Sequence, residues 1–86
     1  MINHLRILFF ASLRDELGMG EIEIPASELT NTEHLLEVLE QHVSGFRMEF
    51  FSAIEIQIAV NQVLVDGFCD VKPGDEIALL PPVTGG

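Results

Sequence analysis

One stretch with helical periodicity lies between stretches that alternate every second residue, and this arrangement restricts the fold more than any other feature. "TNTEHLLEVLEQHVSG" spaces Leu35, Leu36, Leu39 and Val43 as one helical stripe, widened by Val38, with Glu33, Glu37 and Glu40 on the other side. Thr30 followed by Glu33 has the form of a capping box, Thr32 is a rival cap, and Gly45 ends the segment. Before it, "HLRILFF" (His4 to Phe10) puts Leu5, Ile7 and Phe9 on one face and Arg6, Leu8 and Phe10 on the other. "EIEIP" (Glu21 to Pro25) alternates too and is closed by proline. Between them "ASLRDELG" reads as a helical turn stopped by Gly18. After the helix, "EIQIAVN" sets Ile56, Ile58 and Val60 against Glu55, Gln57 and Ala59. "VLV" (Val63 to Val65) is a short strand or hairpin arm, and "EIALL" (Glu76 to Leu80) is a last strand. Asp66-Gly67 and Pro73-Gly74 are turn signals, so Asp75 and Glu76 read as a turn and a strand start rather than an acid pair. "FRMEFFSA" (Phe46 to Ala53) has no clean period and reads as a connecting turn that packs Phe50 or Phe51 under the helix.

Two strands, one long helix and further strands describe an α+β chain, a mixed sheet with one main helix packed on one face. The ubiquitin-like β-grasp has this order. The 86 residues fit one such domain over residues 1–80, followed by a flexible Gly-Gly tail over 81–86. In a β-grasp the last strand runs parallel to the first at the sheet centre. The sheet face away from the helix should then be polar, yet Leu8, Phe10, Ala59, Ala78 and Leu80 fall on it, and Leu64 joins them. Contiguous apolar surface of this kind marks a partner site; ordinary scatter of exposed apolar residues is the plain alternative. Arg6 and Glu55 are expected at its margin.

The charge balance narrows the partners. Fourteen acids against four bases leave a net charge of −10, which argues against a nucleic-acid backbone and an anionic membrane and favours a partner with a basic surface. The opening "MINHLRILFF" is too short in its apolar part for a signal peptide, and no apolar run approaches the ~20 residues of a membrane span. The expected location is the cytoplasm. Cys69, the only cysteine, rules out an intramolecular disulfide. His4, His34 and His42 show no ligand spacing, so no metal site is expected and the helix histidines read as surface residues.

The end of the chain, "LLPPVTGG", then takes on meaning. Pro81 and Pro82 hold the backbone extended. Val83 and Thr84 continue the stem, and Gly85 and Gly86 have no Cβ, so a narrow channel can close around them. Fully extended, this tail spans roughly 20 Å. An ionised terminal carboxylate is a poor electrophile and needs activation, for instance as an acyl-adenylate. The activated acyl group accepts sulfide to give a thiocarboxylate, or a lysine amine to give an isopeptide. Neither chemistry needs a catalytic side chain from this chain, and both stay open on these residues alone.

"ILFFASLRDELG", "AVNQVLV" and above all "PGDEIALLPPVTGG" resemble the small, sulfur-carrying subunits of molybdopterin synthase over nearly the whole chain. That resemblance implies a β-grasp sulfur carrier. It implies that an activating enzyme adenylates Gly86 with ATP and magnesium, with no cofactor bound permanently. A sulfur donor system then makes the thiocarboxylate, and the tail inserts into the large synthase subunit. Two carriers would serve a heterotetramer that sulfurates the pyranopterin precursor of the molybdenum cofactor. Docking in that family is apolar at the positions of Phe10, Leu64 and Leu80, with Leu8 beside them; Leu80 replaces an aromatic found in some relatives. The resemblance leaves this chain no independent active site. Three alternatives remain: a ubiquitin-like modifier joined to lysine through Gly86, a sulfur carrier of the thiamine pathway, and a non-covalent interaction domain.

Overall fold

Strands β1 (His4–Phe9) and β5 (Glu76–Leu80) run parallel at the middle of the molecule, with Ile7 opposite Ile77 and Phe9 opposite Leu79. The computed structural model describes residues 3–53 and 55–82, without the side chains of Phe50, Ser52 and Ala53. β2 (Glu21–Pro25) pairs antiparallel with β1. β3 (Gln57–Val60) pairs antiparallel with β5 and with the edge strand β4 (Val63–Val65). The sheet order is β2-β1-β5-β3-β4, the β-grasp arrangement expected from the order of periodicities. Helix α1 (Ala11–Leu17) links β1 to β2 and stops at Gly18, whose φ of 71° suits a residue without a Cβ.

Alternation decides which residues are inside. Leu5, Ile7, Phe9, Ile24, Ile77 and Leu79 point to one face of the sheet and are at most 2% exposed. Helix α2 (Leu35–His42) covers that face with Leu35, Val38 and Leu39. Each such large apolar side chain contributes about 1.5–3 kcal/mol through its burial.

The helix begins differently from the capping box expected at Thr30. A 3-10 turn over Thr32–His34 precedes α2, and the cap is Asn31, whose side chain accepts from the Glu33 N–H at 2.8 Å. The rival cap Thr32 is engaged elsewhere: its hydroxyl accepts from the Cys69 N–H at 3.0 Å. Asn31 also forms a β-bridge with Asp70, so its backbone is already extended; its side-chain amide donates to Asp70 at 2.9 Å, which turns its oxygen onto the helix start. The helix itself ends at His42, short of Gly45. His34 is exposed, as expected, and His42 packs its ring nitrogen against Glu28 at 2.7 Å.

The unperiodic stretch holds a second short helix, α3 (Met48–Ala53), where a connecting turn was expected. Phe51 is the buried ring and stacks on Phe46 at a centroid distance of 4.5 Å. Phe50, the alternative, falls outside the side chains described.

β3 and β4 are joined at Asn61-Gln62, with φ of 52° and 70°, the two left-handed residues of a tight hairpin turn. The Asp66-Gly67 turn lies beyond β4 instead. Pro73-Gly74 forms the turn leading into β5, closed by Asp75 N–H donating to the Lys72 carbonyl at 3.0 Å, with Gly74 at φ 91°. Asp75 locks this corner. Its carboxylate accepts from the Lys72 N–H at 3.0 Å and the Asn61 side-chain amide at 3.1 Å, and it is 8% exposed. It is a structural acid, as its place in the turn suggested. Asp75→Ala strands both donors, and we expect it to lower the unfolding free energy by about 1–3 kcal/mol, read as a lower urea midpoint with an unchanged slope.

Candidate functional site

The face of the sheet away from α2 is where the alternation becomes unusual. Residues of one parity on four strands meet there in register. Leu8 pairs with Ala78, Ala78 with Ala59, and Ala59 with Leu64, so these four form a row across β1, β5, β3 and β4. Ala59 and Ala78 are 7% and 8% exposed, whereas Phe10 and Leu64 are 43% and 63% exposed. The alanines are therefore a floor and the larger side chains are walls. The result is a shallow apolar trough of about 560 Å³, also lined by Leu80 and Gln57, which pair with each other in the next row.

The trough has a polar end and an open end. At the polar end Arg6 sits in register with Glu76 and the two side chains form an ion pair. Glu76 is fixed from behind: its N–H donates to the Asn61 side chain at 3.0 Å and its carbonyl accepts from the Asn61 N–H at 2.8 Å. Arg6 also lies 3.9 Å from Glu21, so the charged groups gather at this end and leave the floor at Ala59 and Ala78 apolar. At the open end the Phe10 N–H donates to the Leu79 carbonyl at 3.3 Å, keeping Phe10 beside the C-terminal end of β5. Leu80 is the last strand residue, followed by a half-buried Pro81 and an exposed Pro82.

Leu8, Phe10, Leu64 and Leu80 thus line one surface, although they come from β1 and the residue just after it, from β4 and from β5. Pro81 and Pro82 leave from its end with no regular secondary structure. Val83, Thr84, Gly85 and Gly86 lie outside the described residues. Arg6 is at the margin as expected, but Glu55 is not: it precedes β3 and lines a separate depression beside Phe68. Phe68, which belongs to none of the periodic stretches, is 65% exposed; its one signal in the sequence is an aromatic residue directly after the Asp66-Gly67 turn.

Other chemistry is sparse. Among the described residues, no group of three or more His, Cys, Asp or Glu side chains could hold a metal ion. No described helix is long and apolar enough to cross a membrane. Cys69 is half-buried, and its backbone is tied on both sides to Thr32.

Similarity to known proteins is consistent along the chain. The model of the ThiS family matches residues 7–86. The molybdopterin synthase sulfur carrier subunit of Escherichia coli (strain K12) is 36% identical over 95% of this chain and 99% of its own length. Among solved structures, a chain of the complex of subunits 1 and 2 of molybdopterin-converting factor from Helicobacter pylori 26695 superposes with a TM-score of 0.65 at 30% identity. That match covers 96% of this chain and 99% of the other. SAMP1 from Haloferax volcanii superposes with a TM-score of 0.74 over 96% of this chain and 99% of its own, but at 20% identity that likeness concerns the fold alone. The family model matches almost the whole chain and the relatives are matched over nearly all of their own length, on a β-grasp sheet with an apolar outer trough: the chain belongs to the ThiS family, together with the molybdopterin synthase sulfur carrier subunits.

Proposed function

We propose that this chain is the sulfur carrier subunit of a molybdopterin synthase and that its reacting group is the carboxylate of Gly86. The observation that carries the reading is the continuity of the apolar trough with the strand end from which Pro81 and Pro82 lead away. A partner seated on Leu8, Phe10, Leu64 and Leu80 would receive the following segment directly into its own cleft.

The chemistry balances without a side chain from this protein. An activating enzyme joins the Gly86 carboxylate to the AMP portion of ATP, in the presence of magnesium, and pyrophosphate leaves. A sulfur donor system supplies sulfide, which attacks the acyl-adenylate; the acyl–sulfur bond forms as AMP departs, and the product is a thiocarboxylate. In the large subunit the thiocarboxylate sulfur bonds to a carbon of the pyranopterin precursor in place of an oxygen substituent, and water then cleaves the acyl–sulfur bond and restores the Gly86 carboxylate. Two carriers in a heterotetramer then provide the two sulfurs of the product. The acidity of this chain, −10 overall, suits a large subunit whose cleft is basic. All of these steps belong in the cytoplasm.

Intact mass spectrometry of the chain purified from cells with and without the activating enzyme tests the reading. We expect a species in which one terminal oxygen is replaced by sulfur, present only when the activating enzyme is. Its absence from both preparations, or a ladder of lysine conjugates in its place, contradicts the proposal.

A further inference from the structure

A second apolar surface lies around Phe68, on the β4–β5 connection. A single exposed aromatic is ordinary, but this one is held in place. On one side Gly67 turns the chain with φ 84°. On the other, the Thr32 N–H donates to the Cys69 carbonyl at 2.9 Å, the Val71 N–H to the Thr30 carbonyl at 2.9 Å, and the Asn31 side-chain amide to Asp70 at 2.9 Å. These bonds clamp the backbone just after Phe68 to the segment leading into α2, and Phe68 lines the two depressions on either side of it. One, of about 620 Å³, runs over Leu36, Met48, Phe51 and Ile56; the other, of about 500 Å³, runs along Ile58, Leu64 and Val65.

The electrostatics of this surface differ from those of the trough. Glu33 and Glu37 border the first depression, and Glu55 and Asp66 the second. No Lys or Arg lines either one among the described residues. In the trough, by contrast, Arg6 is present and pairs with Glu76. A second copy of a chain carrying −10 is therefore a poor occupant, since the acid rims would face each other.

We propose that the cleft around Phe68 docks a basic amphipathic segment of a partner protein, with a large apolar side chain against Phe68 and flanking Lys or Arg residues on Glu33, Glu37, Glu55 and Asp66. The ring and the depression floors supply apolar contact area. The carboxylates select charge and speed encounter. The first depression shares no lining residue with the trough, whereas the second shares Gln57 and Leu64 with it, so a carrier docked through the trough keeps the first depression open to a ligand.

The test uses the intact chain and the peptide Lys-Lys-Leu-Phe-Lys-Lys, followed by backbone amide NMR shifts. Controls are the charge-reversed peptide Glu-Glu-Leu-Phe-Glu-Glu and the apolar-deleted peptide Lys-Lys-Ser-Ser-Lys-Lys. We expect saturable shifts centred on Phe68, Glu33, Leu36 and Ile56, weakening as salt is added. Phe68→Ser and the double variant Glu33→Gln, Glu37→Gln should each weaken binding about tenfold while their spectra otherwise match the parent. Absence of saturation, shifts centred on Leu8 and Phe10, equal binding of either control peptide, or unchanged affinity in both variants overturns the proposal. Because the readout is peptide binding, its failure leaves the sulfur-carrier reading standing, and failure of that reading leaves this one standing.

Discussion

A chain lacking Gly85 and Gly86 is expected to deliver no sulfur and yet unfold at the same temperature as the intact chain. The two halves of that result have separate causes. The buried apolar residues among those described run from Leu5 to Leu79, so the described core is built without the last residues. The domain should therefore tolerate loss of the terminal residues. The chemistry should not. Removing two residues draws the carboxylate back by about 7 Å at the extended rise per residue. It also places a β-branched threonine, Thr84, where the proposed channel would close on a residue without a Cβ. A misplacement of about 1 Å already costs up to a hundredfold in rate, so a shift several times larger should reduce molybdopterin formation to background. Adding a residue after Gly86 should do the same by burying the reacting carbonyl in a peptide bond. Both variants are read by product formation with purified partners and by thermal unfolding.

Leu64→Asp should separate docking from folding. Leu64 is 63% exposed on the edge strand and walls the trough. In the free chain an aspartate there remains in water, with a stability cost below about 1 kcal/mol. In the complex its carboxylate would be pressed against an apolar partner surface without a counter-charge. Losing the anchor and burying the charge should weaken docking to the large subunit by about 3 kcal/mol, roughly a hundredfold. Val63→Asp is the matched control: Val63 is 65% exposed on the same strand, but its side chain points to the opposite face. Titration calorimetry with the large subunit should show the loss for Leu64→Asp and little change for Val63→Asp.

The trough was legible before the structure because it depends only on parity and strand order. Once β1 and β5 are parallel neighbours, Leu8 must face the same way as Ala78, and the hairpin carries Leu64 to the same side. The depth of the trough was not legible. Ala59 and Ala78 read as exposed small residues, and only the register shows that their larger neighbours cover them. α3 was missed for a different reason. Apolar residues occur on most positions from Phe46 to Phe51, so no stripe stands out, and tertiary packing of Phe51 selects the helix. The cap was assigned to Thr30 because a capping box is a local pattern. Asn31 wins through its long-range bridge to Asp70, which no local pattern contains. The hairpin at Asn61-Gln62 lacks a glycine, so the eye goes to Asp66-Gly67. The asparagine was the available signal, since asparagine tolerates the left-handed region. The prolines before the glycines are readable as a stiff stem from composition alone, whereas what the tail does chemically depends on its partners.

The most direct test follows the sulfur atom itself. The chain is converted to its thiocarboxylate with isotopically heavy sulfur, mixed with unlabelled large subunit and pyranopterin precursor, and both product and carrier are weighed after one turnover. The account predicts heavy sulfur in the product and a Gly86 returned to the ordinary carboxylate. Unlabelled product, with the heavy atom still on the carrier, would contradict it.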